Sequence, residues 1–239
     1  MTSTVAFIGK SGSGKTTITR GFVKLLRQKF SNASILLVDN DLSLELSESF
    51  GIKAKNTIYG IKSGKHEYKT GIPEGMSKQE FIEWALEDII INIDDNTDII
   101  ASWLITPKDC KCIDTKLTRD SLVKIIDRYD FVIFDCEFDL KYLNSLVDYP
   151  IDETIIISEC TQSGLSLASK IADFSKKYAT DGRISLILNK TNKQTSETFD
   201  LLNSLDLNLL GNIKNFETIN YNEIAEILSN FYSRINLPQ

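Results

Sequence analysis

The sequence predicts an α/β fold of three layers, with a mostly parallel central sheet and helices on both faces. Two patterns carry that prediction. Strand-like apolar runs alternate with segments of helical periodicity through the 239 residues, the order that produces parallel sheets with crossover helices. Several runs are apolar without a break, such as Phe131-Val132-Ile133-Phe134 and Thr154-Ile155-Ile156-Ile157, as strands buried on both faces should be. In such sheets ligands collect beyond the carboxyl ends of the strands.

The first strand is expected at Thr4–Gly9, a short β-branched run. A helix follows at Lys15–Phe30, with Ile18, Phe22, Leu25 and Leu26 on one face. Further strands are expected at Ser34–Asp39, Asp98–Trp103, Phe131–Asp135, Glu153–Ser158, Ile184–Asn189 and Leu209–Ile213. Helices are expected at Lys78–Asn92, Lys116–Arg128, Ser163–Tyr178, Ser196–Leu205 and Tyr221–Ile235. Ser77 followed by Glu80 reads as a capping box at the start of the second of these. The segment Gly51–Gly75 is polar and weakly periodic and reads as a long loop. Its His66 has no acidic or cysteine partner spaced beside it and reads as a surface residue.

Between the first strand and its helix stands Gly9-Lys10-Ser11-Gly12-Ser13-Gly14-Lys15-Thr16, which fits G-x-x-x-x-G-K-[ST], the phosphate-binding loop. Glycines let successive N–H groups surround a polyphosphate. Lys15 adds a full charge at the β- and γ-phosphates, and the Thr16 hydroxyl is suited to Mg²⁺. Thr17 continues the set into the helix, whose positive dipole end favours an anion. The loop therefore predicts nucleotide binding and the fold of P-loop NTPases.

Three strand ends offer further chemistry. Asp39 and Asp41 are spaced to face a Mg²⁺-nucleotide and an attacking water, or else to serve as turn acids and helix caps. Asp135 ends an apolar strand, the Walker B arrangement, in which the carboxylate reaches the Mg²⁺ shell. Asn189-Lys190-Thr191-Asn192 resembles a base-recognition motif, with Asn189 suited to hydrogen-bond the base. A GTPase would carry Asp where Asn192 stands, so ATP is the expected nucleotide. Cys110-Lys111-Cys112 presents two thiols one residue apart, too few for a tetrahedral site alone. Two copies across a two-fold axis would supply four thiolates; the other reading is two reduced loop cysteines. Cys136 and Cys160 read as packing residues.

Composition bounds the partners. Hydrophobic residues make up 42% and charged residues 25% of the chain, ordinary for a globular protein, and one domain spanning residues 1–239 is expected. The net charge of −6 argues against a general affinity for nucleic acid or for an anionic membrane, since both require a basic face. The first apolar run leads straight into the phosphate loop, no stretch is long enough to span a membrane, and the four cysteines lack disulfide spacing. A cytoplasmic setting is expected.

With Lys10 at its start, the loop is similar to the deviant Walker A motif of the MinD/ParA/nitrogenase iron protein class, the SIMIBI P-loop ATPases. Within that class the chain most resembles the CooC-type ATPases, which assist nickel insertion into carbon monoxide dehydrogenase. The C-x-C at Cys110 and Cys112 discriminates, supported by Asp39 and Asp41, Asp135 and Glu137, and Asn189. The resemblance implies a homodimer closing on ATP, with Lys10 reaching the partner's nucleotide and Asp41 orienting the attacking water. Lys15, Thr16 and Asp135 would hold phosphate and Mg²⁺. Cys110 and Cys112 of both chains would share Ni²⁺ or Zn²⁺ for a client metalloenzyme. Two departures stand out: Ser11 replaces a usual Gly, and Asp139 stands where relatives commonly carry Gly, which implies slow hydrolysis or a rearranged switch. The same class contains two other outcomes, a MinD/ParA-like positioning ATPase and an iron–sulfur reductase. The final helix carries Glu223 and Glu226 and only Arg234, a poor anchor for an anionic membrane.

Overall fold

The structure is a computed structural model and describes residues 2–41, 43–62, 71–102, 115–137, 150–178, 182–191, 196–214 and 221–232. Its strands are β1 (Ser3–Gly9), β2 (Ile35–Asn40), β3 (Ile91–Asp94), β4 (Thr97–Ala101), β5 (Phe131–Glu137), β6 (Glu153–Glu159), β7 (Arg183–Asn189) and β8 (Asn208–Asn212). They form one sheet in the order β3-β4-β2-β5-β1-β6-β7-β8, parallel except for the β3–β4 pair. The described helices are α1 (Lys15–Lys29), α2 (Glu45–Ser49), α3 (Ile58–Lys62), α4 (Lys78–Asp88), α5 (Thr115–Ile126), α6 (Gln162–Tyr178), α7 (Ser196–Ser204) and α8 (Tyr221–Tyr232). The three-layer α/β fold read from the sequence is the fold observed.

Unbroken apolar strands divide their side chains between two cores. Val5 and Phe7 of β1, with Phe131 and Ile133 of β5, pack under Ile18, Phe22 and Leu26 of α1 and Ile224 and Leu228 of α8. Ala6, Ile8, Val132 and Phe134 face the other way, toward Ile82 and Leu86 of α4, Leu122 and Ile126 of α5, and Leu165 and Ile171 of α6. This alternation is why a period-2 pattern is invisible in the sequence of these strands. It also places Ile224, Ile227 and Leu228 of α8 in the core.

Two segments differ from expectation. The helix expected to run to Asn92 stops at Asp88, and Ile91–Asp94 turns back as the antiparallel edge strand β3. The reason is local: Asp94 Oδ1 accepts the Asn96 N–H at 3.1 Å, an Asx turn that closes a tight hairpin. Within the expected loop Gly51–Gly75, residues Ile58–Lys62 form α3, with Ile58, Tyr59 and Ile61 buried. Thr57 Oγ1 accepts the Gly60 N–H at 3.1 Å and starts that turn. His66 and residues 63–70 lie outside the described residues. The Ser77–Glu80 capping box is formed in both directions.

The strand order sets the site. β1 lies between β5 and β6, with Gly9 opposite Glu137 on one side and Ile157 on the other. A methyl group on Gly9 would sit 2.3 Å from the Ile157 carbonyl oxygen and 2.9 Å from Ser13 Oγ. Gly9→Ala is therefore expected to destabilise the protein by about 1–3 kcal/mol through overpacking, as read from the urea midpoint. An unchanged midpoint would show that β1 and β6 can part at this level.

Candidate functional site

Gly14 caps α1 in the left-handed region at φ +91 and offers no side-chain acceptor, and the first turn of α1 contains no acidic residue. Nothing anionic from the helix itself competes for its N-terminal end. Gly12 is also left-handed, at φ +77. A Cβ at Gly14 would fall 2.3 Å from Asn189 Nδ2, so the loop requires glycine there on two counts. Ser13 Oγ is buried, with no hydrogen-bond partner among the described residues. The Ser13 N–H donates to the Lys10 carbonyl at 3.0 Å, and the side chains of Lys10 and Ser11 are exposed.

Lys15 and Thr16 reach toward the ends of β2 and β5. The Lys15 ammonium lies 3.1 Å from Asp41 Oδ2, with both side chains at least 96% buried (3% and 4% exposed). The Thr16 hydroxyl donates to Asp135 Oδ2 at 2.7 Å, and Thr19 Oγ1 donates to the Lys15 carbonyl at 3.0 Å. Thr17, in the same first turn, is half-buried. The register places Asp39 opposite Asp135 across β2 and β5, so the end of β2 that leads to Asp41 lies beside Asp135, and the carboxylates of Asp135, Asp41 and Glu45 all act on Lys15.

The electrostatics follow from burial and charge. Burial alone would lower the Lys15 pKa, but the carboxylates of Asp135 and Asp41 outweigh it and raise it. Burial pushes Asp135 up to about 7, against the opposing pull of Lys15 and Thr16. For Asp41, burial is opposed by both donors of Ser43 and by Lys15, which together hold it below its ordinary value. Burial raises Glu137, and so do the Asp41 charge and a hydrogen bond shared with Asp41. A Thr hydroxyl and a buried carboxylate side by side suit a hard divalent ion that keeps oxygen ligands. Phosphate oxygens suit the Lys15 ammonium and the α1 N-terminus. The residues fit Mg²⁺ and a nucleotide phosphate chain.

Asp39 and Asn189 both make hydrogen bonds within the chain. Asp39 is fully buried and accepts from Ser47 N and Oγ at 2.7 and 2.6 Å. Through Ser47 it ties α2 to the end of β2. Asn189 donates to the Ser13 carbonyl at 2.8 Å, so its amide supports the loop. Cys136 and Cys160 are buried; Cys136 Sγ receives a weak contact from Asn40 Nδ2 at 3.9 Å, and burial keeps its thiol protonated. Cys110, Cys112, Asp139 and Asn192 lie outside the described residues. Sequence reasoning missed Ser43 and Ser47, although a serine two residues after Asp41 is itself an Asx-turn signal. It also gave no role to Glu159 and Lys190. A cavity of about 590 Å³ lies beside the loop, between Lys10–Ser13, Glu159 and α6. It contains neither Lys15 nor Asp135, and so adjoins the phosphate cradle without being it.

A model of the AAA domain family matches residues 3–188, the stretch from the start of β1 into β7. The chain belongs to the AAA domain family. It is 28% identical over 240 residues to an uncharacterized ATP-binding protein of Methanocaldococcus jannaschii, covering 98% of this chain and 91% of that protein. Among solved structures, a putative plasmid partition protein of Borrelia burgdorferi bound to AMPPNP has a TM-score of 0.67 at 22% identity, covering 98% of this chain and all of that one. The septum site-determining protein MinD of Pyrococcus horikoshii, complexed with Mg-ADP, has a TM-score of 0.65 at 19% identity, covering 97% and 96%. This AAA domain chain thus has the ParA/MinD fold of P-loop ATPases. No helix among its described residues is long and apolar enough to cross a membrane.

Proposed function

We propose that this chain is a Mg²⁺- and ATP-dependent switch that closes into a homodimer on nucleotide and hydrolyses it slowly. The observation that carries the reading is the buried Lys15–Asp41 ion pair in the mouth of the phosphate loop. A lysine committed to a carboxylate in this way is a two-position group. With a triphosphate in the loop, Lys15 would exchange Asp41 for phosphate oxygens. Asp41, released but still held by Ser43, would then be placed to accept a hydrogen bond from the attacking water. Thr16 and Asp135 would hold the Mg²⁺, which supplies charge neutralisation at the phosphates. Exposed Lys10 would act across the dimer on the partner's phosphates. The partition and septum-site proteins with this fold support a switch of the ParA/MinD kind.

Cys110 and Cys112 favour one output for that switch. Their C-x-C supports a metallochaperone role of the CooC type, with Ni²⁺ or Zn²⁺ shared between two chains and handed to a client metalloenzyme. The net charge of −6 and the packing of Ile224, Ile227 and Leu228 of α8 into the core weigh against nucleic-acid or membrane positioning.

One measurement series tests both levels. With Mg²⁺ and a non-hydrolysable ATP analogue, light scattering should show the molar mass doubling. Metal bound per chain should be lost in Cys110→Ser/Cys112→Ser while ATP binding persists. A monomer at saturating nucleotide overturns the switch. Stoichiometric metal retained by the double variant overturns only the metallochaperone output.

A further inference from the structure

The outer side of the phosphate loop is gripped from the ends of β6 and β7. Lys190 Nζ donates to the Gly12 carbonyl at 2.7 Å and to Glu159 Oε1 at 2.7 Å. Asn189 Nδ2 donates to the next carbonyl, that of Ser13, at 2.8 Å, and its Oδ1 accepts the Lys190 N–H at 2.9 Å. Two successive loop carbonyls are thus drawn to one side. The C=O and N–H of a trans peptide point in opposite directions, so a Ser13 carbonyl held by Asn189 turns the Gly14 N–H away from β7. A Gly12 carbonyl held by an ammonium is also kept from presenting its lone pairs to an anion.

Lys190 adopts φ +57, a left-handed conformation that glycine or asparagine fills more easily. A plain turn at the end of β7 would need no lysine. The Glu159–Lys190 pair leaves the two side chains 40% and 39% exposed, and ion pairs this open add little to stability. Its geometric consequence, however, falls on the loop. Glu159 and Asn189 are opposite each other in the β6–β7 register, so a rigid scaffold sets the position of the grip.

We propose that Lys190, with Glu159 as its counter-ion, is a positioning residue of the phosphate loop. It fixes the Gly12–Ser13 backbone in the shape that receives a nucleoside di- or triphosphate. The proposal rests on the reading of this loop as a nucleotide site and adds a residue that acts through the loop backbone.

The test separates the side chain from the turn. ADP and ATP affinities are measured by calorimetry in Mg²⁺ for the full chain and for Lys190→Gly, Lys190→Met and Glu159→Gln, with thermal melts of each protein free of nucleotide. Lys190→Gly is expected to weaken both nucleotides about tenfold, the scale of one charge-assisted hydrogen bond. Its melting point should be equal or higher, because glycine relieves the left-handed backbone. Lys190→Met should lose similar affinity, and Glu159→Gln should lose less, since the Gly12 contact survives. If Lys190→Gly and Lys190→Met both bind ADP within about twofold of the unaltered protein, the lysine is only a turn residue and the proposal is overturned. If the unaltered protein binds no ADP or ATP, the nucleotide reading falls and this proposal with it.

Discussion

Lys15→Met is expected to weaken ATP binding by on the order of 100-fold, the scale of losing two charge-assisted contacts to phosphate. It should also destabilise the nucleotide-free protein by about 3–5 kcal/mol, as removing one partner of a buried pair does. The second effect is the less obvious one. Lys15 is the buried cation facing Asp41 and Asp135, 3.1 Å from the first. Methionine fills most of its volume but leaves these carboxylates without their counter-charge in a site closed to water. Both carboxyls would then be pushed toward their protonated forms. Urea unfolding at pH 7.5 measures the loss, and adding Asp41→Asn to Lys15→Met should recover at least about 1 kcal/mol of it, since directly coupled groups are non-additive on that scale. Equal stability of Lys15→Met and the unaltered protein would mean that the ion pair contributes nothing before nucleotide arrives.

The contrast between what was legible in the sequence and what was not follows the range of the interactions. The phosphate loop, the β5 carboxylate Asp135 and the alternation of strands and helices are local patterns, and each stands where the sequence places it. β3 was hidden because its four residues follow a helix without Gly or Pro, and Ile89, Ile90, Ile91 and Ile93 suit helical spacing as well as alternation. Only pairing with β4, a contact made after the turn, decides for a strand. Asp39 and Asp41 look equivalent in sequence, two carboxylates one residue apart. Their fates diverge through Ser47 and Lys15, respectively eight residues after Asp39 and 26 before Asp41. Lys190 reaches back 178 residues to Gly12, and no spacing rule along the chain encodes such a contact.

Asp135→Asn is expected to make the nucleotide-free protein more stable and to remove most of the Mg²⁺ dependence of ATP binding. Burial raises the Asp135 pKa from an ordinary 3.8 to about 7. A carboxyl whose folded pKa is raised binds its proton more tightly when folded, so its contribution is complete below about pH 4 and is lost as pH rises through about 7. Asp39 is shifted in the same direction by its burial and adds to the slope. Asp41 is held low, so its own titration falls below that window. The protein without Mg²⁺ or nucleotide should therefore lose stability between about pH 4 and pH 7 through these groups, as measured by unfolding in chelator. Asparagine keeps the shape and still accepts the Thr16 hydroxyl, but carries no charge to bury. The slope should flatten in that variant, with the gain over the unaltered protein largest at pH 7 and above. Mg²⁺ would act on the same carboxylate in the opposite sense, favouring its ionised form, so the instability at Asp135 is the other side of its affinity for a cation. An asparagine variant with an unchanged pH slope would show that the carboxyl is ionised without penalty in the folded chain, and Asp135 would then lack the stored electrostatic demand that a divalent ion is expected to satisfy.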